Sequence, residues 1–485
     1  MDLFSSRNWL VAAVLLVPLS YVAVELFFLP APDVGVANDN GLAASQYLQN
    51  PTLNYPNYTP KPTDTVIDRN VYHEKLMGFW LGQCIANWTG LVTEMDKIGG
   101  EGIHGVFYTR HDWGQPDQAS IWGQGVPSDL SATIDWVYET PGSIWGADDD
   151  TDIEYMYQHL LLNDKTSVLT GEQIRAGWLR HIYTDETTPF INDEGKPENY
   201  LWVSNQRAHD LMLQGRVPPA TSDPLHNPDT DMIDAQLTTE IFGLFAPARP
   251  KVALALAHLP IRTSARGEAA LISEFYVMMY SLASLNDAAK SPQQQIEWMA
   301  VQARQHLPSG SYSAAMYDYV KAEYDKGRPW EAVRDGLYQR YQVDQADGYH
   351  ITARGLYCNG CFAAGINFGA SLISLFYGAG DFKETVKLAV LMGWDSDNPA
   401  ATWGGLLGFI MGKKAIENTF EQHFSNRFNI HRTRANFPNN GVDTFEHMAT
   451  QGLQVIDRVV IEQMHGGVNI EKGEWYIPQA SQGTP

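Results

Sequence analysis

Two acidic clusters stand far apart in the 485-residue chain: Ala147-Asp148-Asp149-Asp150-Thr151-Asp152 and Gly393-Trp394-Asp395-Ser396-Asp397-Asn398. Each crowds carboxylates more closely than like charges tolerate without a cation between them. Two unit charges about 4 Å apart repel by about 1 kcal/mol in water, and by several times that near a protein surface. Both clusters offer oxygen ligands with almost no His or Cys nearby, which is the donor set of a hard divalent cation. The residue types therefore predict a Mg²⁺ or Mn²⁺ centre, expected as two ions. The two clusters would come from opposite ends of one domain and meet around that centre.

A structural role competes with this one. Asp in the first turn of a helix offsets the macrodipole and caps free N–H groups. Behind Thr151, the residues Ile153, Met156, Tyr157, Leu160 and Leu161 form the apolar stripe of an amphipathic helix. Asn398-Pro399 reads as an N-cap followed by proline at the first helical position. Three Asp in a row nevertheless exceed what one cap needs, and two such helix starts in one chain favour the cation.

The elements that must position these residues are helical. Periodicity predicts helices over Tyr72–Gly90, Asp152–Asn163, Gly171–Tyr183, Tyr200–Gly215, Asp231–Phe245, Pro250–His258 and Glu268–Leu285. Further ones follow over Pro292–His306, Ser311–Gly327, Pro329–Tyr341, Phe362–Tyr377, Asp381–Met392 and Pro399–Met411. Alternating apolar and polar runs are few, and Ile98–Pro141 and Thr184–Asn199 read as irregular loops. The fold class is therefore all-α: one compact multi-helix domain over 66–470, with the site on inter-helix loops and a tail over 471–485. Gly78, Gly82, Ala86 and Gly90 recur every four residues, as do Ala400, Gly404, Gly408 and Gly412. Glycine inside a helix costs about 0.5–1 kcal/mol relative to alanine. Two such stripes are expected to face each other, so that Glu94 and Asp395 border one cavity.

At these motifs the chain resembles the ADP-ribosylglycohydrolase family, which includes the dinitrogenase-reductase-activating glycohydrolases. Lys75-Leu76-Met77-Gly78-Phe79-Trp80-Leu81-Gly82-Gln83 through Thr93-Glu94 is similar to the family's first helix and its acidic end. Asp148-Asp149-Asp150-Thr151 resembles the Thr-Asp-Asp-Thr signature, and Gly393 to Asn398 with Ala400 to Gly404 resembles the Gly-x-Asp-x-Asp-Thr segment and its glycine-rich helix. The resemblance implies a two-metal hydrolase of an ADP-ribosyl or related N- or O-glycosidic bond. It implies Asp148, Asp149, Asp150, Asp395, Asp397 and Asn398 as metal ligands, Asp149 and Glu94 as catalytic groups, and Glu94 as ligand, gate or base. Ribose hydroxyls would meet the metals and aromatic loops would hold adenine. The substrate would be a small molecule or an ADP-ribosylated protein. Asp148 and Asn398 each stand where the family carries Thr.

The formal charge of −23 excludes a nucleic-acid backbone binder, which needs a basic face. Few charged residues (18%) with 14 Trp and 23 Tyr suit an exported, sugar-facing protein. Arg7 followed by the apolar run Trp9–Leu29 predicts either a cleaved export signal or a retained membrane anchor within residues 1–30, with the body outside the cytoplasm. Residues 31–65 read as a linker. Cys358-Asn359-Gly360-Cys361 is a weak redox or zinc pair, Cys84 stands alone, and no disulfide framework is expected. Asn57-Tyr58-Thr59 and Asn87-Trp88-Thr89 match the glycosylation sequon. Two other readings remain: a metal-independent exported glycoside hydrolase with two carboxylates as acid and base, and a non-catalytic ADP-ribose- or sugar-binding protein.

Overall fold

The computed structural model describes residues 48–123, 130–192, 195–285, 289–350, 358 and 360–479. The signal or anchor predicted in residues 1–30 lies outside them, and no helix among the described residues is long and apolar enough to cross a membrane. After strand β1 (Thr65–Asp68), helix α1 (Arg69–Gly90) starts where the Asp68 carboxylate accepts from the N–H groups of Asn70 and Val71. Helices α2 (Asp149–Asn163), α3 (Gly171–His181) and α4 (Val203–Leu213) follow. Next come two single-turn helices, α5 (Asp234–Leu237) and α6 (Ile241–Leu244). The segment then runs through α7 (Pro250–Ile261), α8 (Gly267–Leu282), α9 (Pro292–Arg304), α10 (Tyr312–Asp325) and α11 (Trp330–Leu337). The C-terminal part holds α12 (Ala364–Gly378), α13 (Phe382–Val390), α14 (Asp397–Met411), α15 (Lys413–Phe420) and α16 (Phe445–Glu462).

The chain is therefore all-α in class, with two small antiparallel sheets among the described residues. One pairs β2 (Arg427–Asn429) with β3 (Val442–Thr444). The other has the order β1-β5-β4, where β4 is Gly467–Asn469 and β5 is Glu474–Ile477. The central strand of that sheet lies in the segment expected as a tail.

Helices α1 and α14 cross with their backbones in contact, because the glycine stripes face each other. A Cβ on Gly82 would sit 2.3 Å from the Gly404 carbonyl oxygen, and one on Gly408 would sit 2.3 Å from that of Gly78. At the far end of the crossing, Gly90 lies against the Asp397 backbone, where a Cβ would be 2.3 Å from Asp397 Cα. The stripe thus delivers the first residue of α14 to the last residue of α1.

Three expectations about elements are corrected. The helix expected over Asp231–Phe245 is broken into α5 and α6, where the hydroxyls of Thr238 and Thr239 donate to the carbonyls of Asp234 and Ala235. Helix α16 was not anticipated. Its apolar positions Phe445, Met448, Ala449, Leu453, Ile456, Val459 and Val460 are all buried, but Gly452, which packs on Leu76, interrupts the stripe. Helix α14 begins at Asp397 with Ser396 as its N-cap, so Asn398 is inside the first turn and is not the cap.

Candidate active site

Each acidic cluster is held on a helix start. Asp148 is the N-cap of α2, and its N–H donates to Thr151 Oγ1 at 3.1 Å. Its carboxylate is thereby left to face α1, and Asp149 and Asp150 project from the first turn. The fourth carboxylate, Asp152, turns away and forms a buried ion pair with Arg434 at 2.7 Å. Burial pushes its pKa up to about 6, with Arg434 opposing. On the other side, Gly393 and Trp394 both adopt positive φ (93° and 56°), a tight turn that aims Asp395 and Asp397 inward. That turn is zipped to the one carrying Glu94: the Met95 N–H donates to Trp394 O at 2.9 Å, and the Trp394 N–H to Lys97 O at 2.7 Å.

The two clusters meet. Asn87, in the last turns of α1, directs Nδ2 to Asp148 Oδ2 at 3.0 Å and to Asp397 Oδ2 at 3.4 Å. Asn398 Nδ2 donates to Asp150 Oδ1 at 3.0 Å, while its Oδ1 accepts from Gln236 Nε2 at 3.0 Å. Ligand oxygens of Glu94, Asp395 and Asp397 lie within 4.8 Å of one another, and so do those of Asp148, Asp149 and Asp150. Asp150, Asp395, Asp397 and Asn398 are buried, whereas Glu94, Asp148 and Asp149 are part-exposed on the open side.

The electrostatics of this assembly call for a cation. No ion pair among the described residues reaches Glu94, Asp148, Asp149, Asp150, Asp395 or Asp397. Burial first, and then mutual repulsion, pushes the carboxyls of Glu94, Asp149, Asp150 and Asp395 well above the ordinary range. Asp397 is pushed up to about 7 by burial and by the charge of Asp148. Its Oδ1 is buried with no hydrogen-bond partner. An all-oxygen donor set with an orphaned carboxylate oxygen fits a hard divalent ion.

Neutral amides hold these carboxylates, and the sequence did not single them out for that task. Asn87 is fully buried and engaged, so its sequon is not a glycosylation site. Gln83 Nε2 bridges the Asp150 carbonyl (3.1 Å) and Glu154 Oε2 (2.6 Å) beneath the site. Asn367 Oδ1 accepts the Asp395 N–H at 3.3 Å. Cys358 and Cys361, weighed above only as a redox or zinc pair, are joined in a disulfide. The only signal available for the amides was polar residues inside otherwise apolar helices.

The profile of the ADP-ribosylglycohydrolase family matches residues 68–444, from the N-cap of α1 to the N-cap of α16. The chain belongs to the ADP-ribosylglycohydrolase family. It is accordingly a glycosyl hydrolase, and the resemblance read from the three motifs is borne out. Among solved structures, a chain described as "ADP-ribosylglycohydrolase-related protein complex" aligns with a TM-score of 0.45 and 15% identity, covering 80% of this chain and 99% of that one. No curated protein matches the sequence. Within this ADP-ribosylglycohydrolase domain, the matched segment contains every acidic residue of the site.

Proposed function

We propose that this protein is a divalent-metal-dependent hydrolase that cleaves an ADP-ribosyl or related N- or O-glycosidic bond outside the cytoplasm. The observation that carries the reading is the convergence of five aspartates and Glu94, from the turn after α1, the start of α2 and the turn leading into α14, with no protein cation paired to them among the described residues. Asp148, Asp149 and Asp150 on one side and Asp395 and Asp397 on the other would hold Mg²⁺ or Mn²⁺, with Asn398 keeping Asp150 in place. When bound, such ions polarise substrate oxygens and make a water nucleophilic at neutral pH.

The remaining work falls to the chain itself. Glu94 stands on the open side, on a turn fixed by Met95 and Trp394, where it takes the proton of the attacking water. Water adds across the glycosidic bond: its hydroxyl goes to the anomeric carbon and its proton to the leaving group. Trp122 is exposed and follows Ile121, whose N–H donates to Met95 O at 3.1 Å beside Glu94. Its ring lies 6.0 Å from that of Phe362, giving an aromatic face on which a planar base stacks. The N-terminal apolar run supports export, and the Cys358–Cys361 disulfide agrees with an oxidising compartment.

Two experiments test the reading. Cell fractionation should place the body outside the cytoplasmic membrane, and recovery in the cytosol would refute the location. Asp149→Asn should abolish turnover of an ADP-ribosylated peptide while leaving the fold intact. Full activity in that variant would refute the site.

A further inference from the structure

The turn closed by the Cys358–Cys361 disulfide lies beside the acidic centre and is tied to both of its halves. Asn367, on the first turn of α12, is completely buried. Its Nδ2 donates to Cys361 O at 2.8 Å and to Ala363 O at 3.1 Å, and its Oδ1 accepts the Asp395 N–H. One amide thus spans the disulfide turn and the turn that presents Asp395.

A second connection leaves the same turn in the opposite direction. The Ile233 N–H donates to Phe362 O at 2.9 Å, and the Ala364 N–H to Asp231 O at 3.0 Å. This pairing places α5, whose Gln236 holds Asn398 and through it Asp150. The disulfide turn therefore reaches Asp395 by one route and Asp150 by the other.

We propose that Asn367 is a positioning residue for the acidic centre, and that the Cys358–Cys361 disulfide holds it in register. Resting on the cation reading above, this adds that the competence of the centre depends on the redox state of the turn. An alanine at 367 would leave the Asp395 N–H buried without its acceptor, freeing the ligand turn to shift. Opening the disulfide releases the Cys361 carbonyl, which fixes the Asn367 amide. Reduction by a dithiol delivers two electrons and two protons to the pair, giving two thiols and the oxidised cyclic reagent. Both sulfurs are buried, so the exchange proceeds through local opening of the turn.

The test uses the full-length protein, Mn²⁺ alone as the probe, and dithiothreitol, with all 3 cysteines titrated as free thiols to prove complete reduction. Reduction of the wild type should raise the Mn²⁺ Kd about 10-fold or more, the size of effect expected when a group that orients a ligand is lost. Asn367→Ala should show weakened binding when oxidised and a smaller response to reduction than the wild type, because the route through Asn367 is already lost. An unchanged Kd in the fully reduced wild type, or a response to reduction as large in Asn367→Ala as in the wild type, overturns the proposal. If reduction unfolds the wild type by circular dichroism, the oxidised Asn367→Ala protein decides: weakened binding supports the proposal and unchanged binding overturns it. Absence of Mn²⁺ binding even in oxidised wild type would sink the cation reading instead. Hydrogen exchange at the Asp395 amide then decides the positioning role: faster exchange in Asn367→Ala supports it and unchanged exchange overturns it.

Discussion

Asp397 sits where three constraints coincide: the N-terminus of α14, close contact with Gly90 of α1, and the nearby charge of Asp148 at the start of α2. Burial, and then the charge of Asp148, pushes its carboxyl up to about 7. An unfolded chain releases this proton near pH 4. Between about pH 4 and 7 the metal-free folded protein retains it, so stability falls as pH rises through that window and the penalty is complete above 7. Bound Mg²⁺ must displace the proton at pH 6 but not at pH 8. The rise in melting temperature on adding Mg²⁺ should therefore be larger at pH 8 than at pH 6, as calorimetry in buffers with and without EDTA would register. A rise independent of pH would contradict the assignment. Asp397→Asn should cut metal affinity and nearly abolish turnover, whereas Glu94→Gln should spare much of the metal binding if Glu94 acts as a base. Titration of Mn²⁺ into each variant separates the two roles. At this scale the carboxylates were legible in the sequence because like charges in a row demand a reason. Asn87, Gln236 and Asn367 were not, because a neutral amide inside an apolar helix carries no periodic signal. Asn398 was misread as a cap because the helix start two residues earlier depends on the turn at Gly393 and Trp394.

Among the elements, the crossing of α1 and α14 decides whether the two clusters can meet at all. A Cβ at Gly404 would lie 2.2 Å from Ala86 Cβ, so even Gly404→Ala forces the helices apart. It should cost about 1–3 kcal/mol, the usual range for overpacking, measured as the shift in a denaturant unfolding midpoint. Gly310→Ala, with nothing within 4 Å of the added methyl, serves as the control and should stay within about 0.5 kcal/mol. Equal midpoints for the two variants would show that the crossing tolerates separation. The four-residue glycine period made this contact readable in advance. Helix α16, by contrast, was hidden by Gly452, whose lack of a side chain has meaning only once Leu76 of α1 is packed against it. The break between α5 and α6 was hidden too, because Thr238 and Thr239 favour helix or turn according to which carbonyls they reach.

At the scale of the whole molecule, the segments that flank the helical domain are fastened to each other through one buried carboxylate. Asp457 on α16 accepts from Arg69 Nε (3.0 Å) and Nη2 (2.8 Å), Tyr55 Oη (2.7 Å) and Trp475 Nε1 (2.7 Å). Part of the segment read as a linker and part of that read as a tail are thus fastened to one buried carboxylate. Asp457→Asn leaves Arg69 charged and buried without its partner and should cost about 3–5 kcal/mol. Activity per folded molecule should hold, because the pair lies on the far segments of the chain and not among the site residues. Unfolding curves paired with active-site titration check both halves, and unchanged stability would contradict the buried-pair argument. No local pattern announces such a long-range pair, so the sequence disclosed the helical class and the acidic centre but not how the domain is sealed. The central claim is metal-dependent hydrolysis at the joined acidic clusters, and the most direct measurement is turnover of ADP-ribosyl-arginine and ADP-ribosyl-serine peptides with and without EDTA. Hydrolysis should disappear with the chelator and return with excess Mg²⁺ or Mn²⁺. Turnover of a plain oligosaccharide that survives EDTA, or tight ADP-ribose binding with no turnover under any metal, would contradict the account.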